Sequence, residues 1–93
     1  MYPSVKHVTP TEDYLLSIDF DNGEIGILDM KPYLDFGIFQ RLKDLSAFNR
    51  VRVSFDTIEW DSGLDLDPEF VYNKSQRLVA QQGAASDAKK PRN

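Results

Sequence analysis

Apolar and polar positions alternate most plainly between Tyr14 and Phe20. Tyr14, Leu16, Ile18 and Phe20 fall on one side, and Leu15, Ser17 and Asp19 on the other. A period of two is that of a half-buried β-strand. Asn22-Gly23 follows, a pair suited to a two-residue hairpin because both turn positions take positive φ. Folding about that pair predicts Phe20 opposite Ile25 and Ile18 opposite Ile27. All four then share the buried face, and Asp21 faces Glu24 at a solvated tip. Upstream, Val5 to Thr9 reads as a short strand bounded by Pro3 and Pro10, which suits an edge because proline cannot donate to a ladder.

The period then changes. Phe36, Phe39, Leu42 and Leu45 recur three residues apart, which predicts a short helix over about 38–44 after a turn at Lys31-Pro32 and a break at Gly37. Phe48 is expected to pack under its end. Alternation returns in "VRVSFDTIEW", with Val51, Val53, Ile58 and Trp60 inward and Arg50 and Arg52 outward. A tight turn near Asp56-Thr57 makes this a second hairpin, with a single bent strand as the competing reading. A turn at Asp61-Ser62-Gly63 leads into a helix start. Asp67 is a good N-cap, Pro68 fits the first helical position, and Glu69 sits beside the positive end of the helix dipole. The predicted helix covers about 68–74.

These elements define an α+β class: one small domain over residues 1–73, with antiparallel hairpins and one or two short helices packed on the sheet. Residues 74–93 lose periodicity and read as a basic, mostly disordered tail. With 93 residues, 41% of them hydrophobic, the chain suits one domain with a small core. It contains no cysteine, which removes disulfides, thiolate nucleophiles and cysteine-ligated zinc. No apolar run approaches the roughly 18–20 residues that span a bilayer, and no signal-peptide pattern opens the chain. The expected compartment is the cytoplasm, without membrane association.

Charge divides the chain. Residues 1–73 carry six Lys/Arg against fourteen Asp/Glu, which gives −8, whereas residues 74–93 carry five against one, which gives +4. An acidic body repels a phosphate backbone, so nucleic-acid binding through the globule is disfavoured. Lys89, Lys90 and Arg92 in the tail leave a regulator that contacts nucleic acid as one alternative.

The densest acidic stretch is "WDSGLDLDPEF", Trp60 to Phe70, with Glu59 just before it. A calcium loop wants oxygens at alternating positions and glycine at its sixth place. Gly63 is third from Asp61, and a proline separates Asp67 from Glu69, so that pattern fails. A small metal-dependent or acid/base enzyme using Trp60–Glu69 is the second alternative, with the Trp60 ring as an apolar wall that raises one carboxyl. The plainer reading makes Asp67 and Glu69 helix-start residues, Asp65 a turn residue and Trp60 core, with a partly exposed anchor as the other role for Trp60. His7 is the only histidine, so zinc has too few ligands. No cofactor motif and no catalytic residue set is present, and no metal or cofactor is expected.

The order of residues resembles a family of small bacterial proteins, the DUF2442 domain of unknown function. The likeness rests on the strand ending Asp19-Phe20 with its Asp21-Asn22-Gly23 turn, and on Asp29 closing the next strand. It continues through Phe39-x-x-Leu42-x-Asp44 and Phe48 to Trp60 with Gly63, Asp65, Pro68 and Glu69. It covers about residues 3–72 and implies a small α+β domain. Some relatives append a helix-turn-helix domain, for which a 20-residue tail is too short. Gene neighbourhood in the family implies pairing with another small protein as toxin and antitoxin. The favoured expectation is therefore a non-enzymatic interaction module, antitoxin-like, whose Glu24, Asp35, Glu59, Asp61 and Asp65 meet Lys/Arg on a small basic partner, with Trp60 beside them. An unpaired edge at Val5–Thr9 also allows a homodimer by sheet extension.

Overall fold

A computed structural model describes residues 2–78. The expected disorder beyond residue 78, and the basic residues Lys89, Lys90 and Arg92, lie outside the described residues. Strands β1 (Val5–Pro10), β2 (Leu15–Phe20), β3 (Ile25–Asp29) and β6 (Gln76–Arg77) form an antiparallel sheet in the order β1-β2-β3-β6. Strands β4 (Val51–Ser54) and β5 (Thr57–Trp60) form a separate antiparallel hairpin. Helices α1 (Leu45–Phe48) and α2 (Pro68–Lys74), and 3-10 segments at Glu12–Tyr14, Lys31–Tyr33 and Gly37–Lys43, complete the domain. The α+β class expected from the sequence is the class observed.

The core forms where the pattern predicts it in β2. Leu16, Ile18 and Phe20 are buried, and they pack with Val5, Leu28, Met30, Leu42, Phe48, Ile58, Trp60 and Val71. Each such side chain contributes roughly 1.5–3 kcal/mol on burial. Two of the buried polar groups keep their partners: Thr57 Oγ1 donates to Leu66 O at 2.7 Å, and Trp60 Nε1 donates to Phe48 O at 2.9 Å.

The first hairpin departs from expectation by one residue. Phe20 N donates to Glu24 O at 2.8 Å, and Gly23 N donates to Phe20 O at 3.0 Å. The loop is thus Asp21-Asn22-Gly23, three residues rather than two, with only Gly23 at positive φ (+91°). This is a turn closed by a glycine bulge. A slip of one residue exchanges the faces of a strand. Ile25 now pairs with Asp19 and Ile27 with Ser17, on the outer face, while Gly26 and Leu28 face inward. Asp21 does not oppose Glu24; its carboxylate accepts from Ser4 N at 3.2 Å.

The physical reason lies far along the chain. A Cβ at Gly26 would stand 2.8 Å from the Cβ of Ser75, so only glycine lets the end of α2 close on β3. Ser75 is buried there, and β6 then pairs with Gly26 and Ile27. The sheet therefore continues beyond residue 73, where the sequence pattern ends.

The short helix expected over about 38–44 forms as a 3-10 helix, Gly37–Lys43. A spacing of three is the 3-10 period. It buries Leu42 and half-buries Phe39, and leaves Phe36 exposed. Asp44 then caps α1 by accepting from Ser46 N at 3.1 Å, and α1 carries Phe48 into the core. The second hairpin forms as predicted, with Val51 opposite Trp60 and Val53 opposite Ile58, but its two loop residues are Phe55 and Asp56.

Candidate interaction surface

The expected acidic docking residues are spread over the molecule, and most are engaged within it. Arg52 reaches Glu59 at 3.1 Å and also contacts Asp61, while Arg50 Nε lies 3.5 Å from Asp61. These four charges form a ladder on the outer face of the β4–β5 hairpin. Asp35 pairs with Lys43 at 2.6 Å. Asp65 is exposed and has no side-chain partner among the described residues; its backbone bridges to Glu59. Trp60 is only 1% exposed and packs against Phe48, with ring centroids 6.3 Å apart. It follows the inward phase of β5, and its one donor is satisfied inside, so it is core and offers no surface to a partner.

Glu24 belongs to an internal fastening. Its Oε1 accepts from Asn22 Nδ2 at 2.8 Å and from the Tyr72 hydroxyl at 2.7 Å. The Tyr72 hydrogen bond, then that of Asn22, with the Arg77 charge adding, hold the Glu24 carboxyl below its ordinary value against the opposing effect of burial. Tyr72 meets Phe20 edge-on at 5.1 Å, and the Arg77 guanidinium stands 4.0 Å over its ring. The hairpin tip, α2 and β6 are thereby tied together.

A second tie holds a strained corner. Asp13 and Tyr14 both have positive φ, at 64° and 61°. A bulky residue in that region is an outlier. Lys31 Nζ donates to Asp13 O at 2.8 Å and lies 3.1 and 3.0 Å from the Asp13 and Asp29 carboxylates. Those two acids raise the Lys31 pKa. Burial pushes the Asp29 carboxyl up, but the Lys31 amide and ammonium outweigh it and bring it below its ordinary value. The corner borders an open surface hollow of about 590 Å³ lined by Pro10 to Asp13, Leu45 and Asn49.

The Trp60–Glu69 segment does not gather its acids. Asp61 faces Arg50 and Arg52, and Asp67 caps α2 by accepting from Glu69 N at 2.8 Å. Pro68 stands at the first helical position and Gly63 turns the chain at φ +93°. Asn22 and Gly23 lie in the three-residue β2–β3 loop, Gly63 in a turn, and Asp67, Pro68 and Glu69 at the start of α2. Among the described residues, no three His, Cys, Asp or Glu side chains converge to hold a metal ion. No helix among them is long and apolar enough to cross a membrane.

Exposed apolar side chains are the feature that sequence reasoning missed. Phe55 is 98% exposed at the tip of the β4–β5 hairpin, with φ +55°. Phe36, Ile38 and Leu45 are exposed around the 3-10 segment, and Ile25 and Leu78 on the outer face of the main sheet. The dipeptide Phe55-Asp56 sits where hairpin loops favour Asn-Gly or Gly-X, and that mismatch was the available signal. The β1 edge is engaged where it begins: Val5 N donates to Asp56 O at 3.1 Å.

Fold and surface define a small α+β domain with a fastened two-hairpin core and an aromatic tip. The family whose model matches residues 5–77 is described as a protein of unknown function (DUF2442), and the chain belongs to it. No curated protein and no solved structure matches the chain.

Proposed function

We propose that this protein is a non-enzymatic interaction module, antitoxin-like, that docks on a small basic partner through the Phe55-Asp56 tip. Phe55 carries the reading: a phenylalanine 98% exposed, at φ +55°, gains nothing from its own fold. Backbone held in that region costs about 1–3 kcal/mol, and such strain clusters at binding sites. A few side chains seated in partner pockets, aromatic ones among them, carry most of an interface's binding energy. The −8 charge of residues 1–73 supports a basic partner through steering and rim contacts. Asp56 and Asp65 are exposed acids for that rim, with Glu59 available by exchange of Arg52, and Asp61 by exchange of Arg50 and Arg52, for partner cations. Of the carboxylates in the Trp60–Glu69 segment, Asp61 is ion-paired with Arg50 and Arg52 and Asp67 caps α2, which favours the interaction reading over an acid/base or metal enzyme.

The test is capture of partners from the native host on the tagged full chain, compared with Phe55→Asn. A small basic protein recovered near equal stoichiometry, released by high salt and absent with Phe55→Asn, supports the reading. Nothing above background, or equal recovery by both chains, overturns it.

A further inference from the structure

We propose that Asn22 is a self-modification site, where the side chain converts through a cyclic imide to aspartate and isoaspartate, and that the folded turn restrains this reaction by fastening Asn22 to Glu24 and Glu24 to Tyr72.

The reactants are adjacent and exposed. Gly23 follows Asn22 at the tip, and nothing lies within 4 Å of where a Cβ on Gly23 would stand. Solvent base removes the Gly23 amide proton, and the nitrogen attacks Cγ of Asn22. The Cγ–Nδ2 bond breaks, and Nδ2 leaves as ammonia with a proton from water. Water then opens the five-membered imide. Opening at Cγ gives aspartate; opening at the Asn22 main-chain carbonyl gives isoaspartate, with one extra methylene in the backbone. No oxidant or reductant takes part.

The turn opposes the first two steps, proton loss and attack. Gly23 N–H is donated to Phe20 O at 3.0 Å, and losing its proton forfeits that bond. Asn22 Oδ1 accepts from Glu24 N at 3.0 Å, while Nδ2 donates to Glu24 Oε1 at 2.8 Å. The side-chain amide is held at both ends, so Cγ cannot swing freely toward the nitrogen. Glu24 is itself held by Tyr72, whose ring is braced by Phe20 and Arg77. A surface amide is thus protected by groups on α2 and β6. The products undo the arrangement. Aspartate places a second carboxylate against Glu24 and removes its amide donor. Isoaspartate lengthens a three-residue loop whose register sets which face of β3 is buried.

The full chain is incubated at mildly alkaline pH, and the peptide holding Asn22 is mapped by mass spectrometry with an isoaspartate-directed methyltransferase assay. Folded wild type is compared with the same chain in urea, with Tyr72→Phe, and with Ile58→Val as a core variant remote from the turn. Conversion at Asn22 is expected to be several-fold faster in urea and in Tyr72→Phe than in folded wild type. Ile58→Val is expected to match wild type, and Asn49 and Asn73, followed by Arg50 and Lys74, to stay intact. Equal rates in folded and urea-treated chains, or Ile58→Val as fast as Tyr72→Phe, would overturn the local restraint. No conversion in any sample would overturn the site.

Discussion

The β2–β3 hairpin turns on Gly23 at φ +91°, whereas the β4–β5 hairpin turns on Phe55 at φ +55°. Both loops need a residue in left-handed space. In the first, glycine supplies it without steric cost, and Asn22, Glu24 and Tyr72 then hydrogen-bond the tip into the body. In the second, an aromatic residue supplies it, and its ring stands in water. Every choice in the first loop serves the fold. The second retains a residue that the fold would exchange for asparagine or glycine at a gain. That difference supports the proposed docking role for β4–β5, while the contacts of the first loop tie β2–β3 to the fold.

Substitutions in either hairpin test this difference. The largest effect belongs to the inner face of the second hairpin: Trp60→Ala is expected to lower stability by about 3–5 kcal/mol in urea unfolding. A loss under 1 kcal/mol would mean that this hairpin does not share the core. Gly26→Ala comes next, at roughly 1–3 kcal/mol from forced contact with Ser75, and Ser75→Gly in the same chain should recover part of it. No recovery would assign the loss to β3 itself.

Tyr72→Phe should lower the melting temperature modestly and change its pH dependence. The folded Glu24 carboxyl lies below its ordinary 4.5, so its contribution is present above that value and fades as pH falls through the folded pKa. That acid-side slope should flatten in Tyr72→Phe; an unchanged slope would remove Tyr72 as its cause. The smallest changes are expected outside. Asp61→Asn should shift stability by less than about 1 kcal/mol, as for other exposed pairs. Phe55→Asn should be neutral or stabilising by about 1 kcal/mol, and a clear loss in urea unfolding would show that Phe55 serves the fold after all.

Much of this was legible in the chain. The alternation through β2 gave its buried face because Leu16, Ile18 and Phe20 admit one phase. Asp67-Pro68-Glu69 gave the start of α2 because cap chemistry is local. The loop length around Asn22-Gly23 was not legible, since the dipeptide fits a two-residue loop and a three-residue loop with a bulge. What decides between them is the fit of Gly26 against Ser75, and no window of neighbouring residues contains both. β6 is too short to show a period. For the site, residue types indicated which acids cap and turn, but Arg50 and Arg52 met Glu59 and Asp61 only once β4 paired with β5. Phe55 has no assigned face in the sequence pattern, beside a turn expected near Asp56-Thr57, because the exact place of the turn decides whether it faces core or water.

Gly26 and Arg77 are paired across the sheet though 51 positions separate them (77 − 26). Seen from the ribosome, this orders events. At synthesis rates of about 5–20 residues per second, β3 waits roughly 3–10 s for the strand that covers its outer edge. During that interval, the β2–β3 hairpin exposes an open edge beside Ile25 and Ile27, the arrangement most prone to pair with another chain. Nascent chains stalled before residue 76 should therefore aggregate or recruit a chaperone more readily than chains that have released β6.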